Sequence, residues 1–230
     1  MAGIHDEHRK RVRKEFLEHG FNENTPEHKI LEMLLFYGIP RKDTNELAHY
    51  LINKFGSLSK VLEAEPNELM KVDGIGENAA SLLKLMLPVA RTYYTQKQGK
   101  SVRFENMNEI CDYLMKKYLG LTKEMFSITS FDSKGNLIGF DFLSSGDVAS
   151  VGITSRIVIE AVLKRNAVSV ILAHNHPGGN ALPSIEDINV TEKISNALKH
   201  INVRLLDHII VCSDDYVTLR QSRQYKHLFN

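Results

Sequence analysis

The chain has 230 residues, 43% of them hydrophobic and 25% charged, with 29 Lys and Arg against 28 Asp and Glu for a net charge of +1. That length supports one large domain or two modest ones, each with its own core, and the balanced charge excludes a chain-wide electrostatic footprint for nucleic acid or an acidic membrane. Cys111 and Cys212 form no CxxC pair, no apolar stretch nears the ~20 residues of a membrane span, and the charged start MAGIHDEHRKRVRKEF lacks the apolar centre of a signal peptide; a cytoplasmic protein with no membrane partner is expected.

Residues 6 to about 97 read almost entirely as helix. EHKILEMLLFYG places Ile30, Leu31, Leu34 and Leu35 on one face. DTNELAHYLINKFG opens on a cap candidate, Asp43 or Thr44, and closes at Gly56. SLSKVLEA is a short helix behind Ser57. The polar segment Tyr94 to Ser101, which contains Gly99, reads as a linker between a domain of residues 1–97 and one of residues 102–230. Beyond it, NMNEICDYLMKKYLG is helical, and MFSITSFD and LIGFDFLS are β-rich runs joined by the turn SKGN. TSRIVIEAVLKRN is a helix with Thr154 as cap, AVSVILA a buried strand, SIEDINVTEKISNALKH a helix behind Ser184, and VRLLDHIIV and YVTL the last strands. The expected fold class is α/β: a small all-α domain, then a mixed sheet covered by helices.

Two features carry chemistry. In ELMKVDGIGENAASLLKLM a short helix ends near Val72, Asp73-Gly74-Ile75-Gly76 turns the chain, and a new helix starts near Glu77. Glycines at a helix N-terminus expose backbone N–H groups that favour an anion, and Ile75 would anchor the turn. Gly74, Ile75 and Gly76 are therefore candidates for phosphate contact. A glycine turn between packed helices explains the same letters, and Lys71, Lys84 and Arg91 are opposed by Glu68, Asp73 and Glu77. A dinucleotide fingerprint is excluded, because a helix precedes the glycines and no acid stands some twenty residues on.

The second feature is AHNHPGGNALPSIEDI. His174 and His176 close a strand, and residues i and i+2 of a strand point the same way. Pro177-Gly178-Gly179 turns the chain back to a helix start whose first turn holds Asp187. Two imidazoles, a carboxylate and an open fourth position make a catalytic zinc set. Ser184 and Asp187 are also a plausible N-cap and dipole-favoured acid, so both readings stand for them. There is no HExxH helix, no PCxxC, and no glutamate two residues after either histidine, which removes two other zinc patterns.

His174-x-His176, seven residues, then Ser184-x-x-Asp187 matches the JAMM motif of the MPN/JAB metallopeptidases. The longer pattern HNHPGG…PS..D…T with LLDHIIV downstream, the N-terminal helices and the GIG hairpin resemble the RadC branch over essentially the whole chain. Gly178 stands where that branch usually has serine, and the helix around Arg156 lacks the branch's flanking proline and glutamate, so Arg156 is taken as structural or supporting. The resemblance implies a helix-hairpin-helix domain followed by an α-β-α JAB/MPN domain, with one Zn2+ per chain held by His174, His176 and Asp187. It also implies an upstream glutamate at the start of an early strand: Glu124, with Glu160 as fallback. The implied activity is zinc-dependent hydrolysis of an amide or isopeptide bond in a peptide substrate. Glu124 would move the proton and Ser184 would donate to the oxyanion. Asp207 and His208 would either support the ligands from behind or be core polar groups with backbone partners. The alternative is a DNA-repair-associated protein that binds DNA through the hairpin and whose metal is structural or acts on nucleic acid. A scaffold with a vestigial site is a third reading, opposed by the intact set of Glu124, His174, His176, Ser184 and Asp187.

Overall fold

The helical periodicity ahead of the sheet folds as α1 (Ile4–His19), α2 (Glu27–Gly38), α3 (Asn45–Phe55), α4 (Leu58–Glu63), α5 (Pro66–Met70) and α6 (Glu77–Lys97). The computed structural model describes residues 4–40, 42–97, 103–145 and 154–229. The chain divides into two units, Met1–Ala90 and Arg91–Asn230. Leu31, Leu35, Leu51, Leu69 and Leu83 are fully buried in the core of the first. Ser57 caps α4, accepting from the Lys60 amide at 3.2 Å. Thr44 occupies the cap position of α3, but its hydroxyl donates to the Glu32 carbonyl instead, and the Asp43 carboxylate takes the Asn45 amide.

One expectation needs correction here. Tyr94 to Lys97 are the last turn of α6, not linker: the exposed side chains of Tyr94, Thr95 and Gln96 suit a solvated helix as well as a linker. Residues 98–101, the rest of that segment, lie outside the described residues. The basic groups near the hairpin are also already engaged. Lys71 pairs with Glu68, Lys84 donates to the carbonyls of Leu62, Glu63 and Ala64, and Arg91 donates to the Leu119 carbonyl. Gly74 has φ +89°, a left-handed value that suits glycine, and Ile75 is buried as the anchor of the turn.

The second unit contains α7 (Met107–Tyr118), β1 (Met125–Phe131), β2 (Leu137–Ser145), α8 (Ser155–Arg165), β3 (Ser169–Asn175), α9 (Ile185–His200), β4 (Arg204–Val211), β5 (Tyr216–Thr218) and a short 3-10 turn (Lys226–Phe229). The sheet order is β2-β1-β3-β4-β5, with β3 and β4 parallel and the other neighbours antiparallel. The parallel pair requires a crossover, and α9 provides it. Alternation sorts β3 into two faces. Val170 and Leu172 meet Val158 and Val162 of α8 and Ile194 and Leu198 of α9. Ile171 and Ala173 meet Cys111, Leu114 and Tyr118 of α7. The sheet is thus mixed and covered by helices on both faces, as the strand and helix patterns predict. Among the described residues no helix is long and apolar enough to cross a membrane.

Candidate metal centre

β3 runs through His174 to Asn175, so His174 lies within the sheet, fully buried on the α9 face. His176 sits just past the strand, where its amide still bonds the Val211 carbonyl at 2.9 Å. Its side chain lies on the same side, 22% exposed. β1 pairs with β3 so that Phe126 lies opposite His174. Glu124, two residues earlier, therefore comes opposite His176 on the same face. A carboxylate oxygen of Glu124 and a ring nitrogen of each histidine all lie within 4.8 Å of one another. Asn175 points to the other face and grips the chain on both sides of Glu124. Its Oδ1 accepts from the Met125 amide at 2.8 Å, and its Nδ2 donates to the Lys123 carbonyl at 3.1 Å.

The start of α9 supplies the second carboxylate. Ser184 is the N-cap in a capping box. Its hydroxyl accepts from the Asp187 amide at 3.1 Å, while its amide and hydroxyl both donate to Asp187 Oδ2 at 2.7 Å. With Oδ2 so occupied, Oδ1 faces His174 Nε2 at 3.1 Å. The cap and the approach of Asp187 to His174 are one geometry here, so a capping role does not draw Asp187 away from the histidines. Burial raises the Asp187 carboxyl, but its contact with His174 and the two hydrogen bonds from Ser184 outweigh that and hold it well below the usual carboxylate range.

The chemistry of this set fits a cation. His176 Nδ1 faces the Asn180 carbonyl at 3.0 Å. A carbonyl only accepts, so Nδ1 carries the hydrogen and Nε2 of the neutral ring is a lone pair. That lone pair meets His174 Nε2 at 3.0 Å and Asp187 Oδ2 at 3.7 Å, with the Glu124 carboxylate alongside. Ring nitrogens and carboxylate oxygens thus face one another across a few ångströms. Imidazole nitrogens with carboxylates are the donors of a divalent transition metal.

Residues 104–225 match the family described as the RadC-like JAB domain. A UPF0758 protein of Fusobacterium nucleatum is 34% identical over 216 residues, covering 91% of this chain and 93% of the relative. A UPF0758 protein of Carboxydothermus hydrogenoformans is 32% identical over 215 residues, covering 94% and 95%. The chain belongs to the RadC-like JAB family.

Glu124, His174, His176, Ser184 and Asp187 thus come together at one end of the RadC-like sheet. Glu160 does not: it is exposed on α8 and paired with Arg156 at 2.8 Å. His208 and Asp207 part company. His208 Nε2 meets His174 Nδ1 at 2.9 Å, whereas Asp207 Oδ1 takes the backbone amides of His208 and Arg220. Burial, reinforced by the neighbouring His174, pushes His208 well below the usual imidazole range. Sequence reasoning missed the gripping role of Asn175, the Asn180 carbonyl and Thr191. Asn175 left a signal, since a residue between two histidines that share a face must point to the opposite face, and Thr191 is the closing letter of the pattern HNHPGG…PS..D…T.

Proposed function

We propose that this RadC-like JAB protein is a metal-dependent hydrolase of amide or isopeptide bonds, with zinc as the metal, one per chain. The observation that carries the reading is the convergence of the Glu124 carboxylate with a ring nitrogen of His174 and of His176, with Asp187 Oδ1 against His174 Nε2. His174, His176 and Asp187 would hold the ion. When bound, it supplies Lewis acidity, polarising a scissile carbonyl and lowering the pKa of water. Glu124 would act as the proton carrier, its carboxylate taking a proton from the attacking water and returning it to the leaving nitrogen as the C–N bond breaks. Ser184 orients Asp187, and its proton is committed to Oδ2, so an oxyanion contact requires that hydroxyl to rotate.

The test pairs metal analysis with a peptide and isopeptide cleavage assay. Glu124→Gln is expected to keep stoichiometric zinc and lose ~10²–10⁴-fold in rate. Wild-type protein without bound zinc after metal-replete purification would overturn the reading. DNA binding by the hairpin is a second proposal and would rest on Gly74, Gly76 and the start of α6, since Lys71 and Lys84 are engaged elsewhere. Gel shifts that weaken steeply with salt are its signature.

A further inference from the structure

A second concave surface lies at the end of the sheet away from the candidate metal centre. Arg204 opens β4 and pairs with Ser169 at the start of β3, whereas His174 pairs with Ile210 near the other end; at the rise of a strand the two ends stand roughly 20 Å apart. The cleft holds about 440 Å³ between the end of α9, the start of β4, the segment after β5 and the 3-10 turn. Val203, Leu205 and Phe229 are its buried floor. Ser195 Oγ donates to the Leu228 carbonyl at 2.5 Å and ties the 3-10 turn to α9 as one wall. Lys199, Arg204 and Arg220 are exposed and line the same cleft, and among the described residues no acidic side chain lines it. Cations gathered on one concave surface concentrate a positive potential there.

Neither neighbour uses up these charges. The last turn of a helix attracts cations to its bare carbonyls, but here the Leu198 carbonyl takes the Ile201 and Val203 amides and the Lys199 carbonyl takes the Asn202 amide. Asp207 is fully buried, and its Oδ1 takes the backbone amide of Arg220. Arg220 Nη1 donates to the Leu206 carbonyl at 3.0 Å, on a stretch of β4 ahead of its pairing with β5 at Ile209–Val211. That bond closes the strand edge to a peptide and fixes the guanidinium at the cleft. A guanidinium grips two oxygens of one oxyanion and an ammonium adds a point charge, so the three cations suit the doubly charged, tetrahedral phosphate. The apolar floor, in a volume ordinary for small-molecule pockets, suits an organic body attached to it.

We propose that this cleft binds a small organic phosphate, its phosphate among Lys199, Arg204 and Arg220 and its apolar body on Val203, Leu205 and Phe229. The site stands apart from the metal centre and does not depend on it. The test is backbone-amide NMR of the whole chain, kept metal-free so that no bound ion captures phosphate, titrated at low salt with phenyl phosphate, inorganic phosphate and phenol. Phenyl phosphate is expected to saturate and to shift the amides of Lys199, Asn202, Arg204 and Arg220 while those of His174, His176 and Asp187 stay in place. Inorganic phosphate should shift the same amides with ~10-fold weaker affinity, and phenol should not bind. Arg204→Gln and Lys199→Gln, both at exposed positions, should each weaken phenyl phosphate ~10-fold with an unchanged thermal midpoint. No saturable binding, shifts spread over lysines and arginines generally, or unchanged affinity in both variants overturns the proposal. Equal affinity for the two phosphates overturns the organic body. A duplex oligonucleotide that displaces phenyl phosphate from these amides at lower concentration overturns the small ligand in favour of a nucleic-acid backbone.

Discussion

Asp207 is fully buried in β4, and its Oδ2 makes no hydrogen bond among the described residues. Burial pushes its carboxyl up to about 6, against the amides of Arg220 and His208 that pull it down. The same burial, helped by the charge of Asp207, pushes the neighbouring Cys111 thiol up to about 12. The sign of the stability effect follows from linkage. Between its unfolded value of 3.8 and about 6, the folded state holds the proton more tightly than the unfolded chain. Stability from this group is therefore complete below about 4 and is lost as pH rises to about 6, on the order of 3 kcal/mol in all. Asp207→Asn keeps an oxygen for the two amides and cannot ionise. Its stability relative to wild type is expected to rise across that window and then level off, measured by urea denaturation at a series of pH values. A flat difference curve would show that Asp207 does not titrate there. Asp207 and His208 are adjacent letters with opposite roles, and a bulge-like register shift in the β3–β4 pairing near them is something the letters do not encode.

At the scale of elements, α2 and α6 approach through small residues. A Cβ at Gly38 would lie 2.7 Å from Ala79 Cα, a backbone atom that cannot turn aside. Gly38 is not among the positive-φ glycines, so alanine suits its backbone and would gain ~0.5–1 kcal/mol in an open helix. The close approach reverses this: Gly38→Ala is expected to lower stability by about 1–3 kcal/mol, seen as a lower denaturation midpoint with unchanged slope. Equal or higher stability would mean that the helices separate freely. The elements themselves were legible because apolar period and cap residues state them locally: Ser57, Ser184 and the run Met125 to Phe131 fall where the letters place them. The end of α6 was not, because polar residues report exposure and not the end of a helix. In the site, His174 and His176 were legible from strand alternation, and Asp187 from the return loop. The contacts of Thr191 and Asn180 and the grip of Asn175 were hidden because their partners lie across strand pairings and helix turns that only the folded register creates.

At the scale of the whole molecule, the candidate ligands come from the start of β1, the end of β3 and the first turn of α9, so an ion held there ties three elements of the Arg91–Asn230 unit to one point. Anything that binds the folded state alone stabilises it by RT ln(1 + [L]/Kd), about 4 kcal/mol at a thousandfold excess over Kd. For a unit of this size that is a rise of roughly 10–20 °C in thermal midpoint, reversed by a chelator. The location of the gain matters as much as its size. Hydrogen exchange is expected to slow at the amides around Glu124, His174, His176 and Asp187 on adding zinc, and to stay unchanged in α2, α3 and α4, which carry none of these groups. His176→Ala removes one donor from a half-buried position and is expected to abolish the shift without unfolding the metal-free protein. A midpoint that rises equally in wild type and His176→Ala would place the metal somewhere else on the molecule and leave these side chains with a purely structural role.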